Sequence, residues 1–217
     1  MNILELFAGS RSIGNEAEKM GMNVFSVDWQ KFDRIDLAID IQDLQMKDIP
    51  FIPDMVWASP DCTTYTIAAI STHRNGTEPK SEYAKKCDEV NKHFISLIDE
   101  WLLINPKMVF FIENPRGMLR KMPFMNGFKR HTIWYCQYGD DRAKPTDIWT
   151  NSKTWVPKSV CRNGNKKCHH QSAPRGSKTG TQGRKGSYDR SKIPDKLCRS
   201  VLDSLLITEP IAIMELF

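Results

Sequence analysis

The run Lys107-Met-Val-Phe-Phe-Ile112 carries no polar residue between its first position and Glu113. Successive side chains of a strand point to opposite faces, so a segment apolar at every position is stable only where both faces are covered. That is the situation of a central strand in a parallel sheet with helices on either side. Asp54-Met-Val-Trp-Ala58 has the same character, and Met1 to Phe7 reads as a further strand. The constraint is an α/β domain with a mostly parallel sheet and helices on both faces.

Around these strands the rest of the chain falls into order. Ile13, Ala17 and Met20 recur at helical spacing, predicting a helix over roughly 12–20, and Asn23 to Asp28 is a second strand, apolar through its middle and acidic at its end. Ile35 to Ile39 is a short third strand closed by Asp40. A β-α-β opening whose strand ends carry Gly, Asp and Asp suggests a sheet that binds a nucleoside-containing cofactor. After Ala58 a long loop runs to about Lys80, of the kind that forms lids and binding loops. Ser81 caps the clearest helix, ending near Leu103, with Val90, Phe94, Leu97, Ile98, Trp101 and Leu102 as its apolar stripe. Thr132–Cys136 and Thr146–Thr150 read as antiparallel neighbours, and a last helix spans Pro194 to Leu206.

Charge is placed unevenly. Between Asn151 and Lys192 there are 11 Lys or Arg against one acidic residue, Asp189, a net +10, whereas the remainder carries −5. A mildly acidic body with one basic, Gly- and Ser-rich segment is the layout of a folded core with a loop that contacts a polyanion, or of a core with a solvated surface loop. No window is apolar and long enough to span a bilayer, which excludes a helical membrane protein. Six cysteines spread over 217 residues do not form a disulfide scaffold. An intracellular, cytoplasmic protein with reduced thiols is the expectation.

Three short motifs stand just beyond predicted strands: Phe7-Ala8-Gly9, Ser59-Pro60-Asp61-Cys62 and Glu113-Asn114-Pro115. Leu4-Glu-Leu-Phe-Ala-Gly-Ser-Arg-Ser-Ile-Gly14 resembles the opening motif of the DNA cytosine-5 methyltransferases. Pro60-Asp-Cys62 resembles their nucleophile loop and Glu113-Asn114 their catalytic glutamate motif. The resemblance covers about the first 150 residues, with the motifs in the family's order, and the compact size and the stretch from Ala173 to Gly183 are most similar to the small bacteriophage-encoded members. It implies a Rossmann-like S-adenosylmethionine-dependent methyltransferase fold, with residues 1–150 as catalytic core, 151–192 as a basic DNA-contacting insertion, and 193–217 as a helix and tail packing back on the core.

The resemblance further implies that S-adenosylmethionine is the cofactor and DNA the partner. Cys62 would add to C6 of a flipped cytosine and activate C5 toward the methyl group. Glu113 would assist at N3. Arg142 or Lys144 would hold the cytosine O2. For the cofactor, Phe7, Ala8, Gly9 and Ser12 would face the methionine portion, Asp28 the ribose hydroxyls, Trp29 and Ile41 the adenine faces, and Asp40 the adenine amino group, with Ser59 and Pro60 completing the pocket. Arg116, Lys144, Arg175, Lys178, Arg184 and Lys185 are the expected DNA contacts.

The chain also departs from that pattern. Asp61 replaces a proline beside the nucleophile, where its carboxylate disfavours a thiolate unless it turns away or pairs with a base such as Arg116. Pro115 replaces the valine after Glu-Asn. There is no Gly-Asn-Ser motif near the last helix, whose role falls to Lys192-Ile193-Pro194, and there is no large recognition domain. Two other readings therefore stand beside the first: an inactive methyltransferase-like DNA-binding protein or subunit, and an amino methyltransferase, against which Ser-Pro-Asp-Cys argues. Cys161, Cys168 and His169 are candidate zinc ligands, or else reduced cysteines beside DNA-facing histidines; adjacent His169 and His170 do not easily both ligate.

Overall fold

The structure, a computed structural model, describes residues 1–173 and 187–207. Its strands are β1 (Asn2–Leu6), β2 (Asn23–Asp28), β3 (Leu37–Ala38), β4 (Met55–Ala58), β5 (Arg74–Asn75), β6 (Glu78–Pro79), β7 (Val109–Pro115), β8 (Arg130–Trp134) and β9 (Pro145–Thr150). The helices are α1 (Ser12–Lys19), α2 (Ile70–His73), α3 (Glu82–Ile104), α4 (Ser187–Ser191) and α5 (Asp195–Leu205). Seven strands form one sheet in the order β3-β2-β1-β4-β7-β9-β8, and neighbours are parallel except where β9 lies between β7 and β8.

Both faces of the sheet are buried, as the apolar runs require. Leu4, Val56, Phe110 and Ile112 pack with Phe94, Ile98 and Trp101 of α3. The alternate positions Ile3, Met55, Trp57 and Phe111 pack on the opposite side with Ile13 and Ala17 of α1 and Leu197, Val201 and Leu202 of α5. The period of two in the strands thus sorts one apolar sequence into two cores. Ser81 caps α3 as expected, its hydroxyl accepting Ala84 N–H at 3.1 Å.

Some expectations change. The third strand shrinks to two residues. β7 continues through Glu113, Asn114 and Pro115, because these pair with Ile148, Asp147 and Thr146 of β9; the motif expected beyond the strand lies on its last rungs. Cys136 sits in a 3₁₀ turn, Tyr135–Tyr138, after β8. The long loop after β4 is built rather than open, containing a 3₁₀ turn at Thr63–Tyr65, α2 and the β5–β6 hairpin.

That loop is fixed by a buried polar network. Arg74 donates to both oxygens of Asp88 on α3, at 3.0 and 2.6 Å, and to Thr64 O at 2.9 Å. Its guanidinium lies 4.2 Å from the centre of the Tyr65 ring, and Tyr65 Oη donates to Asp88 at 2.6 Å. Gly117, just past β7, approaches Tyr65 so closely that a Cβ there would stand 2.3 Å from the Tyr65 carbonyl oxygen. The loop that carries Cys62 is therefore held both by α3 and by the chain leaving β7.

Since Arg74 and Asp88 are both buried, truncating one leaves an uncompensated charge, and Asp88→Ala is expected to cost about 3–5 kcal/mol of unfolding free energy in urea titration. A loss under 1 kcal/mol would show that the network is not what holds the loop.

Candidate active site

The strand order reverses direction between β1 and β4: from β1 the chain moves outward to β2 and β3, then returns to β4 and proceeds to β7. Crevices at the carboxyl ends of the strands flanking such a switch point are where α/β sheets bind ligands. A cleft of about 1300 Å³ opens there, lined by the loops after β1, β2, β4 and β7. Phe7, Ala8, Gly9, Ser12, Asp28, Trp29, Asp40, Ile41, Ser59, Pro60, Cys62, Glu113, Arg116 and Lys144 all line it.

The loop after β1 is unusual in backbone. Phe7, Gly9 and Arg11 have φ of 56°, 48° and 53°, a region that bulky residues avoid unless surrounding contacts enforce it. Two such contacts are visible. Asp28 accepts Gly9 N–H at 2.9 Å and Gln30 N–H at 3.0 Å, tying the ends of β1 and β2 together; burial raises its pKa despite these donors. Glu5, inside β1, accepts Ile13 N–H and Gly14 N–H at 3.1 Å each, satisfying the first turn of α1. Burial pushes the Glu5 carboxyl up to about 7. A Cβ at Gly9 would meet nothing closer than Phe7 O at 4.0 Å, so the position opens on free space.

The other cofactor candidates are placed as follows. Trp29 is 67 % exposed, a large aromatic face kept out of the core. Asp40 accepts Gln42 N–H at 3.1 Å and pairs with Lys86 Nζ at 2.6 Å, which lowers its pKa. Ser59 Oγ accepts Trp57 Nε1–H at 2.7 Å. Ser12 Oγ accepts Ile193 N–H at 3.2 Å, and of Lys192-Ile193-Pro194 it is Ile193 that lines the cleft.

Cys62 is half-buried, and Asn114 Nδ2 donates to Pro60 O at 2.9 Å, joining its loop to β7. Desolvation pushes its thiol up to about 11; Lys144 opposes this, and Asp61 and Glu113 add to it. Asp61 is not paired with Arg116. It accepts Thr63 N–H at 2.6 Å and the Tyr83 hydroxyl, while the exposed Arg116 guanidinium lies 5.9 Å from the Trp134 ring.

Glu113 is buried, with Tyr135 Oη donating to its Oε1 at 2.7 Å and Lys144 Nζ 3.8 Å from the same oxygen. Among the described residues no hydrogen bond is made to Oε2. Lys144 Nζ also lies 4.6 Å from the Tyr135 ring centre. Arg142 is elsewhere: its Nε donates to Asp140 at 2.8 Å and its Nη2 to Lys192 O at 3.3 Å, and it does not line the cleft. Of the two candidate bases, Lys144 is thus the one beside Cys62 and Glu113, buried at the wall of the cleft.

Arg175, Lys178, Arg184 and Lys185 lie outside the described residues. The thiol cluster differs from the expectation: His169 is exposed and bonded to Asp140 O at 3.0 Å, whereas His170 is buried and joins Cys161, Cys168 and the unforeseen Cys136. Glu5 and Tyr135 were also missed. A glutamate inside an apolar strand was the available signal for the first, and nothing in the sequence marked the second. No helix among the described residues is long and apolar enough to cross a membrane.

No protein-family model and no curated protein matches the chain. Solved structures do. A protein assigned as a DNA modification methyltransferase encoded within an E. coli prophage aligns with a TM-score of 0.50 and 15% identity, over 75% of this chain and 52% of that one. Spodoptera frugiperda DNMT2 aligns at 0.47 and 18% identity, over 74% and 53%, and S. pombe Dnmt2 at 0.43 and 15%, over 69% and 49%. The chain spans about half the length of these structures, and the first likeness, with the sheet order, assigns the Rossmann-like methyltransferase fold.

In the ligand-free protein Cys62 is expected to be alkylated slowly at pH 7. Its rate should rise about tenfold per pH unit without a plateau below pH 10, because only the thiolate reacts. Asp61→Asn should shift the profile to lower pH. Peptide-resolved iodoacetamide labelling reads both, and a plateau near pH 8 would contradict the placement of charge around the sulfur.

Proposed function

We propose that this chain is a DNA cytosine-5 methyltransferase using S-adenosylmethionine. The observation that carries the reading is the meeting, in one cleft at the sheet's switch point, of a cysteine, a buried glutamate and a lysine on one side with the β1 loop and strand-end acids on the other. The residues present suit the cofactor. Gly9 lines the cleft with no side chain and with open space beside it, Asp28 offers a carboxylate, and Trp29 offers an aromatic face. When bound, the cofactor supplies an electrophilic methyl group.

The chain's own residues do the rest. Lys144 favours ionisation of the Cys62 thiol, whose proton passes to solvent, and the thiolate adds to C6 of the base and makes C5 nucleophilic. Glu113, held through Oε1 by Tyr135 and Lys144, would in its acid form donate the proton on Oε2 to N3 as negative charge builds there, and take it back when the adduct collapses. Once C5 is methylated, its proton passes to solvent and the C6–sulfur bond breaks, which restores the ring and releases the Cys62 thiolate. The net +10 between Asn151 and Lys192 suits the phosphates of DNA opened around an extruded base.

Fluorine at C5 blocks the final proton loss, so DNA containing 5-fluorocytosine should become covalently trapped when S-adenosylmethionine is present. Cys62→Ser should abolish trapping, and Glu113→Gln should slow methylation by about 10²- to 10⁴-fold, while both variants retain the rise in Tm given by S-adenosylhomocysteine. Methylation persisting in Cys62→Ser would favour amino methyl transfer. Cofactor binding without trapping or turnover in the native protein would favour an inactive DNA-binding relative.

A further inference from the structure

Away from the cleft, the Sγ atoms of Cys136, Cys161 and Cys168 and a ring nitrogen of His170 lie within 4.8 Å of one another. One donor comes from the 3₁₀ turn after β8, and the other three come from residues 161–170, where the chain forms no helix or strand. We infer that these four residues hold a structural zinc ion, which fastens the root of the basic segment to the end of the sheet.

Three independent features converge on this. The donor set is the sulfur-rich one that tetrahedral zinc prefers, and metal–ligand lengths of about 2.3 Å to sulfur and 2.0 Å to nitrogen place donors about 3.5–3.8 Å apart, within a small contraction of the observed cluster. Amide N–H groups point at the sulfurs: Gln137 Nε2 lies 3.8 Å from both Cys136 and Cys168, and Asn165 Nδ2 lies 3.6 Å from Cys161. Such donors favour thiolates and orient metal ligands from outside the coordination shell. His170 is 7 % exposed, yet its Nδ1 faces Cys161 Sγ at 3.9 Å and its Nε2 is buried without a partner. A buried imidazole left so is costly unless one nitrogen has another role.

The surroundings supply a reason for the ion. Residues 151–173 carry no helix or strand, and the apolar contact at their far end is a small cluster of Cys136, Ala143 and Cys161. Three thiolates and one divalent ion carry a net −1, which the cationic Arg162, Lys166 and Lys167 of the same segment offset. Each thiol that ligates gives its proton to solvent, so binding strengthens as pH rises. Arg162, Asn163 and Ala173 line the cleft, so a metal holding this segment also sets where the proposed DNA-contacting residues begin.

Protein purified without chelator is expected to contain one equivalent of zinc by elemental mass spectrometry. Cobalt titrated into metal-stripped protein should give the visible absorption of a tetrahedral, thiolate-rich site. Cys136→Ser and His170→Ala should reduce metal content at least tenfold, whereas His169→Ala should leave one equivalent. Circular dichroism of the variants separates lost ligation from lost folding, and the cobalt titration decides the matter in the native sequence. Absence of zinc together with absence of the cobalt spectrum would overturn the inference, as would a disulfide among the three cysteines or full metal retention in Cys136→Ser. S-adenosylhomocysteine binding is read separately, so failure here and failure of the methyltransferase reading are distinguishable.

Discussion

The Arg74–Asp88 ion pair lies under the cleft with almost no solvent contact, and the position of Cys62 depends on it. Arg74 is desolvated, which is unfavourable alone, but its donors reach both Asp88 oxygens and the Thr64 carbonyl while Tyr65 lies over its plane. Every strong donor on that side of the guanidinium is used. The loop leaving β4 is thus fixed at residues two and three beyond the cysteine, and Asn114 fixes it two residues before. A cysteine whose loop is held on both sides by buried hydrogen bonds has little further freedom to lose, which is the preorganisation that the proposed covalent step needs.

The charges around Cys62 oppose one another. Desolvation, Asp61 and Glu113 favour the thiol, while Lys144 favours the thiolate. A cysteine kept protonated in the ligand-free protein is protected from oxidation, which acts on thiolates. In the proposed reaction a base would enter between Glu113 and Cys62, and the lysine would then be the nearest compensating charge. Asp61 is taken up by Tyr83 and by its own turn, so its burden on the sulfur is partly offset without a guanidinium.

Much of the architecture was legible because it depends on patterns within short windows. Apolar runs gave the central strands, and Ser81 with its apolar stripe gave α3. What was not legible depends on partners far along the chain. β7 extends to Pro115 only because β9 pairs with it, and no window around Glu113 contains that information. Arg142 and Lys144 are two residues apart and chemically alike; which one enters the cleft is decided by Asp140 capturing Arg142. The same holds for His169 and His170, adjacent in sequence and facing opposite environments, and for Cys136, brought to Cys161 by the turn after β8. The basic segment's role still rests on its charge, since Arg175, Lys178, Arg184 and Lys185 lie outside the described residues.

The central claim is chemical: the cleft methylates carbon, through a thiol, on cytosine in DNA. The direct test is to incubate the protein with duplex DNA and methyl-labelled S-adenosylmethionine, digest the DNA to nucleosides and identify the labelled product by chromatography and mass spectrometry. Label in 5-methyldeoxycytidine is the result the account predicts. Label on the exocyclic amine of cytosine or adenine, or none in DNA under conditions where the cofactor binds, would contradict it.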